Sequence, residues 1–219
     1  MRTDGLRWPG FLFALLAALA LSAPPAAGQP SSEDFFIAVA NDRVVEVKAL
    51  LARGANPDGV DRNGDPALVI AAREGNAATV DVLLGARASV NARNAFGDTA
   101  LMVAALAGRL ELVKKLRARG ADVNQPGWTA LIYAATGGHD AIVRFLLAEG
   151  ADIDAASPNG TTALMMAARE GRLSTLEILI ARGAKVNHRN QSGASALDWA
   201  KRGNDRQLAE RLRRAGAQD

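Results

Sequence analysis

The chain has 219 residues, of which 49% are hydrophobic and 22% are charged, with a formal net charge of +3 and no cysteine. This composition is typical of a folded chain and excludes disorder and collagen. The absence of cysteine excludes a disulfide framework, a metal site held by thiolates and a cysteine nucleophile. Only two histidines occur, His139 and His188, so we expect no metal site and no cofactor held by histidines.

The N-terminal segment has the pattern of a secretory signal peptide. Arg2 and Arg7 precede an unbroken apolar run over residues 11–21, and small residues follow at Ala26 and Gly28. A basic start, a short apolar stretch and a small-residue exit are typical of an export signal that is removed. We therefore predict a signal peptide at residues 1–28, a short linker at 29–31 and a folded domain at 32–217.

The alternative is a leader that stays attached as a membrane anchor. A spanning helix needs about 20 apolar residues in regular helix. Pro9, Pro24 and Pro25 interrupt this stretch, and proline breaks a helix interior. We favour cleavage for this reason.

The rest of the chain repeats with a period of 33 residues. Five segments share a pattern with a turn glycine, a leucine and small residues: 64–75, 97–108, 127–138, 160–171 and 193–204. With Phe35 as the first member, their leucines follow at intervals of 33, 33, 30, 33 and 33 residues, namely Leu68, Leu101, Leu131, Leu164 and Leu197. Such a period predicts a stacked solenoid in which each unit buries its apolar face against its neighbours. The approximate units are 32–60, 61–93, 94–124, 125–156, 157–189 and 190–217.

Each unit is predicted to contain two short helices. Thr99, Thr129, Thr162 and Ser195 stand where the capping residue of the first helix belongs. In the second unit, Asp65 is expected to cap a helix that has Pro66 at its first position. We expect Trp199 to pack in the core of the last unit.

These residues resemble those of ankyrin repeats. The matching pattern is G-x-T-A-L-x-x-A-A-x-x-G followed by (L/V)-L and then G-A-x-(V/I)-(N/D), and it covers residues 32–217. The resemblance implies an all-α solenoid of six helix-turn-helix units with short β-turn fingers. It also implies a non-enzymatic function in binding another protein, although the fold does not name the partner.

Two departures from this pattern have structural consequences. Arg87 replaces the turn glycine found at the equivalent positions, where a left-handed backbone would cost a side chain about 1 kcal/mol. The segment between Asn124 and Gly127 is three residues shorter than its equivalents, so we expect one truncated finger.

Charge is uneven along the domain. Residues 182–214 carry nine basic and three acidic residues, a net charge of +6, whereas residues 29–181 have a net charge of −3. A basic region can bind an acidic partner, anionic lipid or nucleic acid. It can also be the wettable face that the terminal unit of a solenoid needs. We favour the second interpretation and expect no nucleic-acid binding, because no aromatic residues for base stacking alternate with the basic ones.

The sequence shows no catalytic or cofactor-binding motif, and we expect neither enzymatic activity nor a metal. No phosphate-binding loop of the type GxxxxGK[ST] is present. His139 begins a helix, where we expect it to bond a neighbouring loop, and His188 lies in a turn where we expect it to be exposed. Asp152 and Asp154 are expected to serve turn hydrogen bonding.

The resemblance implies that a partner docks on the concave face, which the finger tips and the first helices form. The positions that correspond to this face are Arg62, Asn63, Asp65, Arg73, Glu74, Ala95, Phe96, Asp98, Leu106, Ala107, Trp128, Thr136, Pro158, Asn159, Thr161, Arg169, Glu170, Gln191, Ser192 and Arg202. Within this set, Phe96, Leu106 and Trp128 form an apolar centre, while Arg73, Glu74, Asp98, Arg169 and Glu170 supply charges. An apolar centre with a charged rim is typical of interfaces. The alternative is that Phe96 and Trp128 fill the gap at the truncated finger.

Two function classes remain open. The first is an exported monomeric scaffold, in a bacterial periplasm, that binds a partner protein. The second is a protein attached to the membrane by a retained leader or by the basic C-terminal helix. Salt-sensitive binding to liposomes favours the second class, and a salt-tolerant protein complex favours the first.

We predict that the exported protein begins near Gln29, because the small residues at Ala26 and Gly28 suit a signal peptidase. N-terminal mass spectrometry of the protein recovered from the cell envelope measures this directly. An intact Met1 on the exported protein would contradict the prediction.

Overall fold

The computed structural model describes residues 31–218, and the predicted signal peptide and residues 29–30 lie outside this range. Within residues 31–218 the structure has twelve helices and no strand. They are α1 (Ser32–Ala40), α2 (Val44–Ala52), α3 (Ala67–Glu74), α4 (Ala77–Gly85), α5 (Ala100–Leu106), α6 (Leu110–Ala118), α7 (Ala130–Gly137), α8 (Asp140–Ala148), α9 (Ala163–Arg169), α10 (Leu173–Ala181), α11 (Ala196–Arg202) and α12 (Arg206–Arg214). The predicted all-α solenoid of helix pairs is confirmed.

The helices form two layers. The odd-numbered helices α1 to α11 pack in sequence as one layer, and the even-numbered helices form the second layer. Neighbours approach more closely in the first layer than in the second, because paired alanines such as Ala104 and Ala105 are buried between the first helices. A stack that is tighter on one side curves toward that side. The first helices and the fingers therefore line the concave face.

One hydrophobic core runs through the whole stack. The repeated leucines Leu68, Leu101, Leu131, Leu164 and Leu197 are all buried. Phe35 begins this core in α1, and Leu208 and Leu212 end it in α12. Both terminal units therefore contribute apolar residues inward while they keep charged residues outside.

The first helices begin with the predicted hydroxyl caps. The side chain of Thr99 accepts a hydrogen bond from the backbone N–H of Met102, and Thr129 and Thr162 repeat this arrangement. Ser195 caps α11, where the carboxylate of Asp198 also accepts from the Ser195 backbone. These bonds satisfy N–H groups that have no partner inside the helix.

The predicted cap at Asp65 is wrong. The helix begins at Ala67 with Pro66 as its flanking residue, and no side chain caps it. Pro66 is extended, with φ of −61° and ψ of 146°, and it forms an antiparallel bridge with Val60. Asp65 thus lies one residue before the capping position, and its carboxylate accepts hydrogen bonds from Arg73 and Asn94 instead.

Short fingers connect the units. Isolated antiparallel bridges join Val60 to Pro66, Arg93 to Thr99 and Ala156 to Thr162. At the shortened connection, the guanidinium of Arg93 donates to the carbonyl of Pro126 over 3.3 Å. The side chain of Arg93, from the preceding finger, thus holds the shortened segment between Asn124 and Gly127 in place.

Arg87 adopts the left-handed conformation that its position requires, with φ of 67°. The equivalent residues Gly54, Gly120, Gly150, Gly183 and Gly216 have φ between 85° and 95°. The strain expected at Arg87 is therefore present. Within residues 31–218, no helix is long and apolar enough to cross a membrane.

We predict that Arg87→Gly raises the free energy of unfolding by about 1 kcal/mol, because glycine adopts a left-handed backbone without steric strain. The reciprocal change Gly120→Arg should lower it by a similar amount, since a Cβ at Gly120 would meet no atom within 4 Å and only backbone strain is added. Urea unfolding measures both. A loss of stability in Arg87→Gly would show that the Arg87 side chain contributes more than its backbone strain removes.

Candidate functional site

Two rows of side chains from the first helices line the concave face. Residues two positions after the repeated core residue form one row: Ile37, Ile70, Val103, Tyr133, Met166 and Trp199. Residues five positions after it form the other row: Ala40, Arg73, Leu106, Thr136, Arg169 and Arg202. The first row is mainly apolar, but Ile70, Val103 and Met166 are buried, and only Ile37, Tyr133 and Trp199 are exposed or half-buried. The second row is mixed, so the face combines a few apolar side chains with separate polar groups.

Exposed apolar side chains are concentrated on this face. Ile37 and Leu106 are 44% and 42% exposed, and the finger residues Val60 and Phe96 are 55% and 83% exposed. Among the large apolar residues exposed within residues 31–218, only Val45 lies on a second helix. Clustering of this kind marks interaction surfaces, whereas single exposed apolar residues are ordinary.

The middle of the face contains Phe96, Leu106 and Trp128. Phe96 extends from the finger into solvent and fills no gap. Trp128 is half-buried, packs against the core, and lies 5.9 Å from the ring of Tyr133 between centroids. Trp128 is therefore not a fully buried gap filler, since part of its side chain stays exposed.

Tyr133 belongs to this central group although the sequence analysis did not select it. Its hydroxyl donates a hydrogen bond of 2.6 Å to Oδ1 of Asp98 in the preceding unit. Burial and the neighbouring carboxylate raise the pKa of Tyr133 well above its usual value, so the hydroxyl stays protonated and keeps donating. The signal that could have identified Tyr133 is its register, because it lies two residues after Leu131.

Asp65 is buried and is not accessible on the concave face, which corrects the prediction that it points outward. Its carboxylate accepts hydrogen bonds from Arg73 over 2.8 Å and from Asn94 over 2.9 Å. The hydrogen bond from Arg73 lowers the pKa of Asp65, burial opposes this, and the bond from Asn94 adds to the lowering. Thr161 is also buried rather than outward.

A groove of about 670 Å³ with mixed apolar and polar lining lies at the N-terminal end of the face. Phe36, Ile37, Val60 and Ile70 are among its lining residues, and it is bordered by an ion pair of 2.6 Å between Glu33 and Arg62. The sequence predicts an apolar centre in the middle units only. The groove lies where α1, the first helix of the described residues, meets the finger that contains Val60 and Arg62.

At the C-terminal end, Trp199 packs against the core but is only half-buried, so the expectation that it packs in the core of the last unit is met only in part. The guanidinium carbon of Arg169 lies 5.6 Å from the centroid of its ring, a cation–π geometry. Arg169 also pairs through Nε with Glu170 at 3.4 Å. Arg169, from the charged pair of the fifth unit, thus contacts Trp199 of the last repeat.

Both histidines connect neighbouring units. Nε2 of His139 lies 2.9 Å from the carbonyl oxygen of Leu106, and Nε2 of His188 lies 2.9 Å from that of Gly160. His188 is half-buried, which corrects the expected exposure. Asp154 accepts a hydrogen bond from the backbone N–H of Lys185. Within residues 31–218, no group of three or more His, Cys, Asp or Glu side chains is arranged to hold a metal ion.

We predict that Asp65 makes stability depend on pH. Because its folded-state pKa lies below the ordinary 3.8, its stabilising effect is complete above that value and is lost as the pH falls through the folded-state pKa. Asp65→Asn should lower the free energy of unfolding by about 1–2 kcal/mol at pH 7, and this difference from the unmodified chain should shrink toward pH 3.

Urea unfolding across this pH range provides the measurement. Glu111→Gln is the control, because Glu111 is 84% exposed and pairs only with Lys114 one helical turn away. A difference between Asp65→Asn and the unmodified chain that is independent of pH would rule out this role of the carboxylate charge.

The comparisons with known proteins agree with this architecture. The family model for ankyrin repeats (three copies) matches residues 35–126, 68–157, 124–190 and 149–218. The human ASB11 ankyrin repeat domain is similar to the chain, with 28% identity, a TM-score of 0.75 and coverage of 84% of each chain. No curated protein sequence matches. Because 586 chains of solved structures match, the likeness identifies a widely used scaffold and selects no partner.

Proposed function

Because the chain belongs to the ankyrin-repeat family, whose repeats generally mediate protein–protein interaction, we propose that it is a non-enzymatic scaffold that binds one partner protein on its concave face. The observation that carries this proposal is the distribution of exposed apolar side chains. Ile37, Val60, Phe96 and Leu106 all lie on that face or its fingers. Their removal from water would contribute to association.

The centre of the proposed site is the group formed by Phe96, Leu106, Trp128 and Tyr133. Aromatic residues with one packed side and one open side are suited to anchor a partner, because little side-chain entropy is lost when they bind. Asp98 supports this group indirectly, since it accepts the hydrogen bond of Tyr133. Arg73, Glu74, Arg169 and Glu170 provide the charged surroundings.

We place this function outside the cytoplasm, in a bacterial periplasm. The support is the pattern of residues 1–28, with its basic start, apolar run and small-residue exit. We further propose that the scaffold is a monomer, since both terminal units present charged residues outward.

Attachment to the membrane by the basic C-terminal helix is the second candidate and has less support. The apolar residues of α12, Leu208 and Leu212, are buried in the core and are not free to enter lipid. Arg211 is engaged with Glu177 at 3.0 Å, and Arg214 with Glu210 at 3.7 Å. These pairs reduce the charge available for anionic headgroups.

We predict that Phe96→Ala weakens the complex by about 2 kcal/mol or more, the usual threshold for an anchor residue. The free energy of unfolding should change by less than about 0.5 kcal/mol, because Phe96 is exposed. Val45→Ala is the matched control: Val45 is also 83% exposed but lies on α2.

The partner is captured from the native compartment with the tagged chain, and the affinity of each variant is then measured by calorimetry. Trp128→Ala should lower both affinity and stability, with a stability loss below the roughly 3–5 kcal/mol of a fully buried aromatic. If Phe96→Ala and Val45→Ala bind the partner equally well, the finger tip does not belong to the interface.

A further inference from the structure

Arginine occupies the same position of the concave face in three repeats, but the three arginines are neutralised to different degrees. Arg73 donates to the buried Asp65 carboxylate over 2.8 Å. Arg169 has the adjacent Glu170 at 3.4 Å from Nε. Arg202 forms no ion pair or side-chain hydrogen bond within residues 31–218. Positive charge on this face is therefore balanced at the N-terminal end and unbalanced at the C-terminal end.

The two C-terminal arginines adjoin the half-buried indole of Trp199. Arg169 from α9 lies over this ring, and Arg202 follows Trp199 by three residues on α11, which places both on one side of the helix. Arg169, Trp199, Arg202 and Gly203 line an open cavity of about 390 Å³. We call these residues the Trp199 surface. Among the described residues, no acidic one lines the cavity.

The nearest carboxylate on the same helix is occupied elsewhere. Asp198 accepts hydrogen bonds from the backbone and hydroxyl of Ser195, and it pairs with Arg189 at 3.1 Å. These hydrogen bonds, led by that from the Ser195 backbone, lower the pKa of Asp198 despite some burial. Asp198 is thus ionised but bonded to Ser195 and Arg189, and within residues 31–218 it forms no ion pair with Arg202.

We propose that the Trp199 surface binds an acidic segment of the partner protein, with a carboxylate held by Arg169 and Arg202 and an apolar side chain packed on the indole. This inference rests on the proposed function and specifies the chemistry of the partner. Guanidinium groups recognise carboxylates through two parallel hydrogen bonds. The indole excludes water from one side, which strengthens these bonds.

A protein segment fits this surface better than the other polyanions. Single-stranded nucleic acid requires several aromatic side chains along a basic groove, and the Trp199 surface has one. Anionic lipid requires an accessible apolar face beside the charges, whereas the apolar residues of α12 are buried. A carboxylate next to an apolar side chain matches the one indole and two guanidinium groups that are present.

The test measures binding of fluorescent probes to the purified chain by anisotropy. The first probe is a short glutamate-rich peptide that contains one phenylalanine. Its companions are a peptide with glutamine in place of glutamate, a peptide with alanine in place of phenylalanine, a single-stranded oligonucleotide and phosphatidylglycerol vesicles. We expect the first probe to bind most tightly and its affinity to fall as salt increases.

Arg202→Glu should weaken binding of the first probe by about tenfold or more, because an attractive charge becomes repulsive. Arg206→Glu is the matched control: it makes the same change in net charge at the start of α12, outside the Trp199 cavity. Trp199→Leu keeps an apolar side chain at the core edge. It should abolish the preference for phenylalanine over alanine in the probe.

Equal weakening by Arg202→Glu and Arg206→Glu would overturn the proposal, since it would indicate attraction to net charge alone. Stronger binding of the oligonucleotide or the vesicles than of the acidic peptide would overturn it as well. Circular dichroism confirms that each variant is folded, and Arg169→Gln provides a second substitution at an exposed position. Because these probes need no native partner, the two tests are independent. The acidic-peptide test can fail while the Phe96 test succeeds, and the Phe96 test can fail while the acidic-peptide test succeeds.

Discussion

The close approach of the first helices at their paired alanines is the constraint on which the rest of the structure depends. Ala71 and Ala72 in α3, and Ala104 and Ala105 in α5, are completely buried between neighbours. A larger side chain there would separate adjacent units and open the layer. Tight packing in this layer and looser packing in the second layer produce the curvature. The curvature in turn brings side chains from successive units onto one continuous face.

The units are also joined by polar contacts that reach only the next repeat. The side chain of Asn76 donates to the carbonyl of Val39, and that of Asn124 donates to Gly150. Asp140 accepts from the hydroxyls of Ser174 and Thr175. Because every such contact joins neighbours, stability accumulates along the stack as a sum of unit and interface contributions. A change in one unit is therefore felt mainly by that unit and the two beside it.

The repeated features could be predicted from the sequence because each repeat supports the assignment made for the others. The helix pairs, the caps at Thr99 and Ser195, and the buried leucines all recur with one period. Asp65 was mispredicted as a cap because Pro66, which stands where Thr99 caps the next unit, takes the capping position and the helix begins at Ala67. The register of Tyr133, two residues after Leu131, placed it on the concave face, but its bond to Asp98 could not be predicted because that bond crosses a repeat boundary. Single residues whose partners lie in another unit leave no periodic signal.

The contrast between fixed and variable positions explains how one scaffold carries different surface chemistry in each unit. The core position holds leucine in five successive units, whereas the position five residues later holds Arg73, Leu106, Thr136, Arg169 and Arg202 in those same units. All five of these side chains are exposed or half-buried, so substitution there changes the face with little effect on packing. The groove of mixed lining at α1, the aromatic centre at Tyr133 and the cationic end at Trp199 therefore lie in series on the concave face. An extended partner would meet them in that order, which gives the face a direction that the repeated core does not have.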